Sequence, residues 1–395
     1  MRRVHQVLAT LGYGDAIGHE VLGIQRVLRA AGYESEIFVE AADPRLESMT
    51  IDYRHLIDHS DPDNLLLHHF SLASKASRTA FALPDRMALI YHNITPPEFF
   101  VGLHRSLSSE CFRGRRELAA YAERCDIALG DSEFNRQDLE ALGFKRTGVL
   151  PVVPDFTHLD GAADRTVANM YDDDWTNILF VGRMVPNKKI EDVIRFFHAY
   201  HRFFNPRSRL LLVGAQGGFE RYMAALHHVT ATLGNSHVHF IGPVSNEALV
   251  AYYEVADLFL CASEHEGFCV PLVEAFHKQI PVLAYAAAAV PATMDGAGVL
   301  YSDKDPTHVA ALMDAVVSNT EVQDAIIDGQ LAAVERLRAK DFDGTLLGIV
   351  DRVFAAPRLP SPRVTFDFWY QFDAAEELEE LRLDRPSIYK ALPPA

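Results

Sequence analysis

The chain has 395 residues, more than one hydrophobic core usually serves, so two domains are expected. Its 49% apolar and 23% charged residues are ordinary for a soluble globular protein and exclude a disordered or fibrous chain. With 54 acidic against 37 basic residues the net charge is −17, which disfavours general binding to nucleic acid or anionic lipid. Any bound phosphate therefore requires a local cluster of positive charge.

Cysteine content and hydropathy point to the cytoplasm. The cysteines form no C-x-x-C pair and are too few to staple a chain of this length: Cys111, Cys125, Cys261 and Cys269. No signal-peptide-like segment opens the chain, and no apolar run reaches the length of a membrane span. We expect a cytoplasmic protein, with peripheral contact at the inner membrane face left open.

The chain begins with a pattern of strand, glycine-bearing loop and helix. Residues 4–10 form an apolar run, a loop containing Gly14 follows, and apolar residues recur at helical spacing from Val21. The loop does not match G-x-G-x-x-G, and Asp15 would repel a pyrophosphate. The loop alone is therefore compatible with a nucleotide-type fold but does not identify a nucleotide site.

Polar residues follow two of the next predicted strands. Further short apolar runs alternate with helical segments and predict a parallel sheet covered by helices: residues 36–39, 65–68, 87–91, 127–129 and 149–153. Ligands of such sheets bind beyond the carboxyl ends of the strands, where His92 and the group Asp131, Ser132 and Glu133 fall. His92 is either a satisfied structural residue or a catalytic one, and Ser132 is alternatively a helix cap.

Between these groups, residues 99–116 mix aromatic with basic side chains. They would suit an acceptor phosphate, an anionic membrane surface, or simply a solvated helix face.

Periodicity then lapses over residues 155–175, which reads as a linker. The predicted domains are residues 1–160 and 175–350, followed by an extension over residues 351–395.

The second domain repeats the alternation of strands and helices. Its predicted strands are residues 177–181, 210–213, 238–241, 258–261, 282–285 and 299–301. The first strand ends in a turn that carries Arg183 and Lys188, just before a helix predicted from Ile190. Cations at a helix start oppose the helix dipole, so this turn favours a bound anion such as a diphosphate.

A second turn follows the strand that ends near Ala262. Gly267 would let the backbone approach a ligand, and Pro271 marks the first turn of a helix. The N–H groups of Phe268, Cys269 and Val270 would point out of the positive end of that helix. Glu266 and Glu274 would flank one ligand from opposite sides, or else act as a cap and as a favourable acid near the dipole.

The last part of the chain lies outside this alternation. Residues 366–372 are densely aromatic, and an acidic, helix-like run covers residues 376–382. Such aromatic density predicts packing, either back onto the first domain or against a partner or second copy of the chain.

Together, the turn with Arg183 and Lys188, the Glu266 and Glu274 pair and the glycine loop resemble glycosyltransferase family 4, the retaining type, over roughly residues 4–350. Residues 92–100 resemble a branch of that family linked to bacterial surface polysaccharide. The resemblance implies the GT-B architecture: an α/β protein with two facing, doubly wound Rossmann-like domains. The first domain would take the acceptor, the second the donor, and a C-terminal segment would cross back.

The resemblance also implies roles for individual residues. Arg183 and Lys188 would hold the donor diphosphate, and Glu274 the ribose hydroxyls. Glu266, with the amides of Gly267 and Phe268, would hold the sugar, and Cys269 would belong to the same donor-binding turn. His92 would stand near the transferred sugar, and Gly14 would leave room for donor phosphates or acceptor.

Two positions depart from the family pattern. Lys189 replaces a common glycine, and residues 286–289 are all alanine where glycines are usual. No D-x-D motif is placed to clamp a metal, and residues 172–174 read as solvated aspartates of the linker. We therefore expect neither a metal nor another cofactor.

These features predict a retaining hexosyltransferase. It would move a hexose from a nucleoside-diphosphate sugar, with GDP-mannose as the suggested donor, to a glycan or glycolipid acceptor in surface polysaccharide biosynthesis. Nucleic acid is not an expected partner. The alternatives are a GT-B phosphorylase or epimerase, and a non-catalytic nucleotide-sugar-binding subunit recruited through residues 366–395.

Overall fold

The computed structural model describes residues 2–12, 16–152, 155–360, 364–365 and 367–391. The chain divides into two compact units, Met1–Val152 with Asp341–Ala395, and Val153–Lys340. Both units are parallel sheets with helices between successive strands.

The first part of the first unit alternates strands and helices: β1 (Val4–Leu11), α1 (Ala16–Ala30), β2 (Ile37–Ala42), β3 (Ile51–Asp52), α2 (Leu56–His59), β4 (Leu65–Phe70), α3 (Lys75–Ala82), β5 (Arg86–Tyr91), α4 (Arg105–Ala120), β6 (Ile127–Gly130), α5 (Glu133–Ala141) and β7 (Thr147–Val149). Its sheet has the order β3-β2-β1-β4-β5-β6-β7, with every neighbouring pair parallel. The strand order reverses between β1 and β4.

The second unit follows the same plan: α6 (Arg165–Tyr171), β8 (Thr176–Val181), α7 (Ile190–Phe203), β9 (Ser208–Val213), α8 (Glu220–Leu233), β10 (Val238–Gly242), α9 (Asn246–Glu254), β11 (Leu258–Cys261), α10 (Val270–His277), β12 (Val282–Tyr285), α11 (Val290–Met294), β13 (Val299–Tyr301), α12 (Pro306–Val317) and α13 (Thr320–Arg338). Its sheet order, β10-β9-β8-β11-β12-β13, reverses between β8 and β11. At such a reversal the loops after the two strands diverge and leave a crevice for a ligand.

The predicted fold class, two doubly wound parallel α/β units, is confirmed. Strands β4, β5 and β11 are buried along their whole length, which is why they appear in the sequence as unbroken apolar runs. The predicted strand at residues 149–153 lies instead at Thr147–Val149, because Pro151 has no N–H to extend the ladder.

The segment predicted as a linker belongs to the second unit. It contains α6, and the side chains of Phe156, Leu159 and Tyr171 are buried in the same core as Leu272 and Phe276. These apolar residues are too widely spaced to show helical periodicity, which is why the sequence pattern appears to lapse there.

The chain then returns to the first unit through α14 (Phe342–Ala355), α15 (Tyr370–Asp384) and α16 (Pro386–Tyr389). Leu346 and Ile349 of α14 pack in one core with Val4 and Ile24. Residues 341–350, predicted to end the second domain, therefore lie in the first, because the apolar face of α14 completes the first core. The Arg86 guanidinium fixes this end by donating to the carbonyls of Val353 and Ala356.

The aromatic segment also packs on the first unit, which was one of the two predicted alternatives. Phe368 stacks on Phe81 with 5.3 Å between ring centroids, and Trp369 meets Phe81 edge-on at 5.2 Å. The Arg78 guanidinium lies 5.2 Å from the centre of the Trp369 ring. Phe366 lies outside the described residues. Within the described ranges, no helix combines the length and apolar character needed to cross a membrane.

Candidate functional site

The two turns singled out from the sequence follow β8 and β11, the adjacent strands at the reversal of the second sheet. Asn187 joins them. Its carbonyl accepts from the amide of Glu264 at 2.9 Å, and its side-chain amide donates to the carbonyl of His265 at 2.9 Å. The structure therefore brings the two turns together as one loop cluster at the carboxyl edge of the sheet.

Lys188 and Glu266 form an ion pair within this cluster. The Lys188 Nζ lies 2.6 Å from the Glu266 Oε1, and the two side chains are only 15% and 11% exposed. Burial by itself would lower the pKa of Lys188, but the Glu266 carboxylate outweighs it, and the pKa is raised above its ordinary value. Lys188 is thus a buried cation that keeps its charge.

Arg183 does not join this pair. Its side chain is exposed and contacts no hydrogen-bonding or charged partner in the described part of the chain. The turn is held close to the sheet by Gly214, where an added Cβ would lie 2.1 Å from the Gly182 carbonyl oxygen. Of the two predicted cations, the structure places Lys188 inside the loop cluster and Arg183 on its surface.

Helix α10 begins at Val270, with Pro271 in its first turn as predicted. The residue before it, Cys269, has φ 75° and ψ 67°, a left-handed conformation that only a few per cent of non-glycine residues adopt. Gly267 has no positive φ, so the sharp turn falls on the cysteine instead. No side chain caps α10, which leaves the first N–H groups of the helix for another acceptor.

The Cys269 thiol is buried and donates to Cys261 at the end of β11. This hydrogen bond lowers the pKa of Cys261 and, together with burial, raises the pKa of Cys269 well above its usual range. Cys269 therefore acts as a neutral packing residue beneath the loop.

Glu274 is 8% exposed, and both of its carboxylate oxygens are engaged. Oε1 lies 3.1 Å from His158 Nε2, and Oε2 accepts from the Tyr253 hydroxyl at 2.9 Å. The two predicted acids thus differ in their partners: Glu266 pairs with Lys188, whereas Glu274 bonds to His158 and Tyr253. The alternative interpretation was Glu266 as a helix cap and Glu274 as a first-turn acid, but no side chain caps α10 and its first turn contains no acid.

His158 was not predicted as a site residue. Its Nδ1 lies 2.9 Å from the carbonyl oxygen of Asp155, while its Nε2 faces Glu274. Both partners are acceptors, so both ring nitrogens must carry a proton. Accordingly the hydrogen bond to Glu274, partly offset by burial, raises the pKa of His158. The sequence shows only a histidine in a segment without periodicity, and this does not identify Glu274 as its partner.

His92 lies in the first unit, at the carboxyl end of β5. Its Nδ1 lies 3.0 Å from Asp131 Oδ2 and 3.7 Å from Glu20 Oε2. Its Nε2 lies 2.8 Å from His69 Nδ1, and His69 Nε2 lies 2.9 Å from Gln6 Oε1. A hydrogen bond from His92 to a sugar would require one of these contacts to break.

The surroundings of His92 are electrostatically unusual. Burial, and after it the charge of Asp131, raises the pKa of Glu20 to about 8 against the opposing effect of His92. Burial also lowers the pKa of His69 well below its usual value. Ser132 caps α5 by accepting from the Asn135 amide at 3.2 Å, as its alternative interpretation predicted. Gly14 lies outside the described residues.

The two departures from the glycine pattern both have left-handed backbone. Lys189 has φ 52° and Ala288 has φ 50°, the conformation for which glycine is best suited. Lys189 is held by ion pairs with Glu191 at 3.3 Å and Glu264 at 3.6 Å.

Comparison with known proteins shows what the site-bearing segment is similar to. Residues 166–330 match the family model described as Glycosyl transferases group 1. O-antigen chain mannosyltransferase B of Escherichia coli is 26% identical over 133 residues, 34% of each chain. D-inositol 3-phosphate glycosyltransferase of Mycobacterium sp. (strain KMS) is 34% identical over 169 residues, 41% of this chain and 37% of the relative. The chain thus matches little more than a third of these curated relatives' length.

The fold comparison covers more of the chain. The Anabaena protein HepE, solved in complex with UDP-glucose, superposes with a TM-score of 0.70 at 16% identity over 89% of this chain and 100% of that one. At this identity the likeness shows the fold, two Rossmann-like parallel-sheet domains of the GT-B type.

Proposed function

We propose, on the premise that the second unit carries the glycosyl transferases group 1 segment, that the protein is a retaining hexosyltransferase of family 4. The observation that carries the proposal is the Lys188–Glu266 pair, seated where the order of strands reverses and beside the open N-terminus of α10. A buried, charged lysine next to free backbone N–H groups is suited to a ligand with negative charge.

In the proposed reaction, the bond between the anomeric carbon and the β-phosphate oxygen breaks, and a bond to the acceptor oxygen forms. The acceptor proton leaves with the nucleoside diphosphate. Charge accumulates on the leaving phosphate, and Lys188 and the first amides of α10 would stabilise it. Exposed Arg183 would turn onto the same phosphate, so that this step needs no metal.

Glu266 and Glu274 would recognise the two ends of the donor. Glu266 would accept hydrogen bonds from the sugar hydroxyls while it keeps Lys188 charged, and the amides of Gly267 and Phe268 would donate to the sugar oxygens. Glu274 would accept hydrogen bonds from the ribose hydroxyls. Tyr253 and His158 would keep its carboxylate ionised and oriented. Because the carboxylate is already engaged by both residues, ribose binding must share or displace the His158 contact.

The donor we propose is GDP-mannose, and the acceptor is a growing surface glycan or glycolipid. The similarity to an O-antigen mannosyltransferase supports mannose, whereas HepE was solved with a uridine donor. The choice of base is therefore the first property to measure.

Calorimetric titration with GDP, UDP and ADP tests the donor site. We expect one nucleotide to bind, and Lys188→Ala and Glu274→Ala each to weaken it about tenfold or more, as loss of a charge-assisted bond predicts. Lys189→Ala is the matched control, because its ion pairs lie with Glu191 and Glu264 and its loss should change affinity less than threefold. No binding of any of the three nucleotides would refute the donor site.

Turnover separates the hexosyltransferase from its rivals. Release of GDP from GDP-mannose that depends on an added glycan acceptor supports the proposal. Release that requires inorganic phosphate would identify a phosphorylase, and sugar isomerisation without an acceptor would identify an epimerase. Tight binding with no turnover under any of these conditions would favour the non-catalytic subunit.

A further inference from the structure

Lys304 lies just beyond the end of β13, at the edge of the second sheet, but its side chain contacts residues two strands away. The sheet order β8-β11-β12-β13 places β12 between β13 and β11. The Lys304 Nζ lies 4.3 Å from the centre of the Tyr285 ring, at the end of β12, and bonds to residues of the turn after β11. The side chain therefore crosses the carboxyl edge of the sheet.

The ammonium group of Lys304 has three hydrogen-bond acceptors. It donates to Glu264 Oε1 at 2.8 Å and to the carbonyl oxygen of Ala262 at 3.2 Å, both in the turn after β11. It also donates to Asp192 Oδ2 at 3.0 Å, in the first turn of α7. Lys304 thus connects the turn after β11 to the helix that follows the Lys188 turn.

Tyr301 makes a second connection between the same strands. This last residue of β13 is 5% exposed, and its hydroxyl donates to the carbonyl oxygen of Cys261, the last residue of β11, at 2.9 Å. The Tyr301 ring also packs against Tyr285, with 5.6 Å between ring centroids. The chain at the end of β11 is therefore held at successive points by side chains of residues 301 and 304.

Residues 262–269, here called the donor turn, carry the proposed donor site and lead into the open N-terminus of α10. Their other side is held by α11. The Phe268 carbonyl accepts from the Thr293 hydroxyl, and the Glu266 carbonyl accepts from the Ala289 amide at 3.3 Å. The position of the donor turn is therefore set by α11 on one side and by Lys304 on the other.

Lys304 and Lys188 differ in how many of their N–H groups are engaged. A lysine ammonium has three N–H donors. In the described part of the chain, Lys188 donates to Glu266, which leaves N–H groups for a ligand, whereas Lys304 uses all three on protein acceptors. Because Lys304 has no N–H left for a phosphate, it can act on a ligand only through the donor turn.

We propose that Lys304 is a positioning residue for the donor turn, an inference that rests on the proposed function. By holding the Glu264 carboxylate and the Ala262 carbonyl, it keeps Glu266 and the first amides of α10 directed at the same ligand. A donor turn that moves away from Lys188 would lose this convergence, and the diphosphate would lose contacts.

The charges around Lys304 indicate how its loss would act. The other cations paired with its two acids lie against the opposite oxygens: Lys189 is 3.6 Å from Glu264 Oε2, and Arg195 is 3.0 Å from Asp192 Oδ1. Without the Lys304 ammonium, Glu264 Oε1 and Asp192 Oδ2 would face each other across the space that it now fills. Repulsion between the two carboxylates would move the donor turn away from α7.

Hydrogen exchange of the free protein tests the position of the donor turn without a ligand. The Glu264 amide reports on the turn, because it donates to the Asn187 carbonyl, and the Phe259 amide, bonded to the Pro281 carbonyl, is the reference in the same strand. We expect Lys304→Met to speed exchange at Glu264 about tenfold or more and to leave Phe259 unchanged. An unchanged rate at Glu264, or equal acceleration at both amides, would overturn the proposal.

Nucleotide binding tests whether this position matters to the ligand. The probes are the diphosphate that binds in the titration with GDP, UDP and ADP, and the corresponding nucleoside. We expect Lys304→Met to weaken the diphosphate about tenfold and the nucleoside less than about twofold, because Glu274, the proposed ribose partner, lies beyond the donor turn. Lys304→Arg keeps the charge and the donors and should bind the diphosphate within about threefold of the unaltered chain. Equal losses for diphosphate and nucleoside in Lys304→Met would overturn the proposal.

Lys278→Met is the matched control. Lys278 is 17% exposed, and its Nζ lies 3.3 Å from the Leu159 carbonyl and 3.9 Å from Glu254, at the other end of α10. It should change neither exchange at Glu264 nor diphosphate affinity. Faster exchange in Lys304→Met with unchanged diphosphate affinity would overturn the positioning role. Failure of the unaltered chain to bind any of the three nucleotides would refute the proposed function, and exchange at Glu264 would still decide whether Lys304 holds the turn.

Discussion

At the scale of single residues, left-handed backbone is placed on side chains that tolerate it poorly. Lys189, Cys269 and Ala288 all have φ between 50° and 75°. The ion pairs of Lys189 and the burial of Cys269 offset the strain of their left-handed backbone. The methyl group of Ala288 can form no comparable interaction. Ala288 is therefore the position where strain should be measurable.

We predict that Ala288→Gly stabilises the protein by up to about 1 kcal/mol, because relief of about 1–2 kcal/mol of left-handed strain exceeds the entropy that glycine loses. Ala287→Gly, at a neighbouring position without positive φ, should instead destabilise by about 0.5–1 kcal/mol. Urea unfolding of both variants measures the difference. The same sign for both changes would contradict strain at Ala288.

The residue scale also shows how much of the site could be predicted. Lys188 and Glu266 stand out in the sequence as charged residues in turns that follow buried strands, and Glu274 stands out by its spacing from Glu266. Their partners do not stand out. His158 precedes Glu274 by 116 positions, and His69 precedes His92 by 23, so these contacts exist only once distant strands and loops have been packed together.

At the scale of secondary-structure elements, the loop after β8 depends on a close approach to the loop after β9. Gly214 has φ 137°, and an added Cβ would overlap the Gly182 carbonyl oxygen. Because backbone cannot move aside cheaply, we predict that Gly214→Ala destabilises by about 2 kcal/mol or more and displaces Lys188. Gly217→Ala, in the same loop with nothing within 4 Å, should be nearly neutral. Thermal unfolding compares the two, and equal melting temperatures would refute the role given to Gly214.

The contact between His158 and α10 should depend on pH. The folded-state pKa of His158 is raised by its bond to Glu274, above an ordinary value of 6.5. Its stabilising effect is therefore complete below about pH 6.5 and is lost as the pH rises through the folded-state pKa. We predict that the stability advantage of the unaltered chain over His158→Gln is largest near pH 6 and declines towards pH 9.

Chemical unfolding at four or five pH values measures this difference. His228→Gln, at an exposed histidine of α8, provides the control and should change stability by less than about 0.5 kcal/mol. A flat profile for His158→Gln would mean that the ring does not carry two protons in the folded protein.

Whether a segment forms a helix or a strand was predictable from the sequence. The residues at which it begins and ends, and the unit to which it belongs, were less predictable. Buried parallel strands are short apolar runs, which the sequence displays directly, but β7 stops where Pro151 ends the ladder and β3 is only two residues long. The membership of α14 could not be predicted, because an apolar helical face fits either core and only the closing of the first core decides between them.

At the scale of the whole molecule, the first core is built from both ends of the chain. Ile349 is 1% exposed and packs in the core with Val4 and Ile24. We predict that Ile349→Ala costs about 2–5 kcal/mol and raises hydrogen exchange in β1 and β5. Exchange in β8 and β11 should stay unchanged, because these strands belong to the other unit.

Val322→Ala is the control for this prediction, because Val322 is 37% exposed on α13 and should change stability by less than about 0.5 kcal/mol. Uniform loss of protection in both sheets after Ile349→Ala would show instead that the two units unfold as one.

The return of α14 to the first unit has a consequence for synthesis on the ribosome. The second unit is a continuous stretch, Val153–Lys340, and every residue of its core has been translated by the time Lys340 has been added. The first unit begins earlier but lacks Leu346 and Ile349 until α14 has emerged. The second unit can therefore close before the first, whose core cluster still lacks the apolar face of α14.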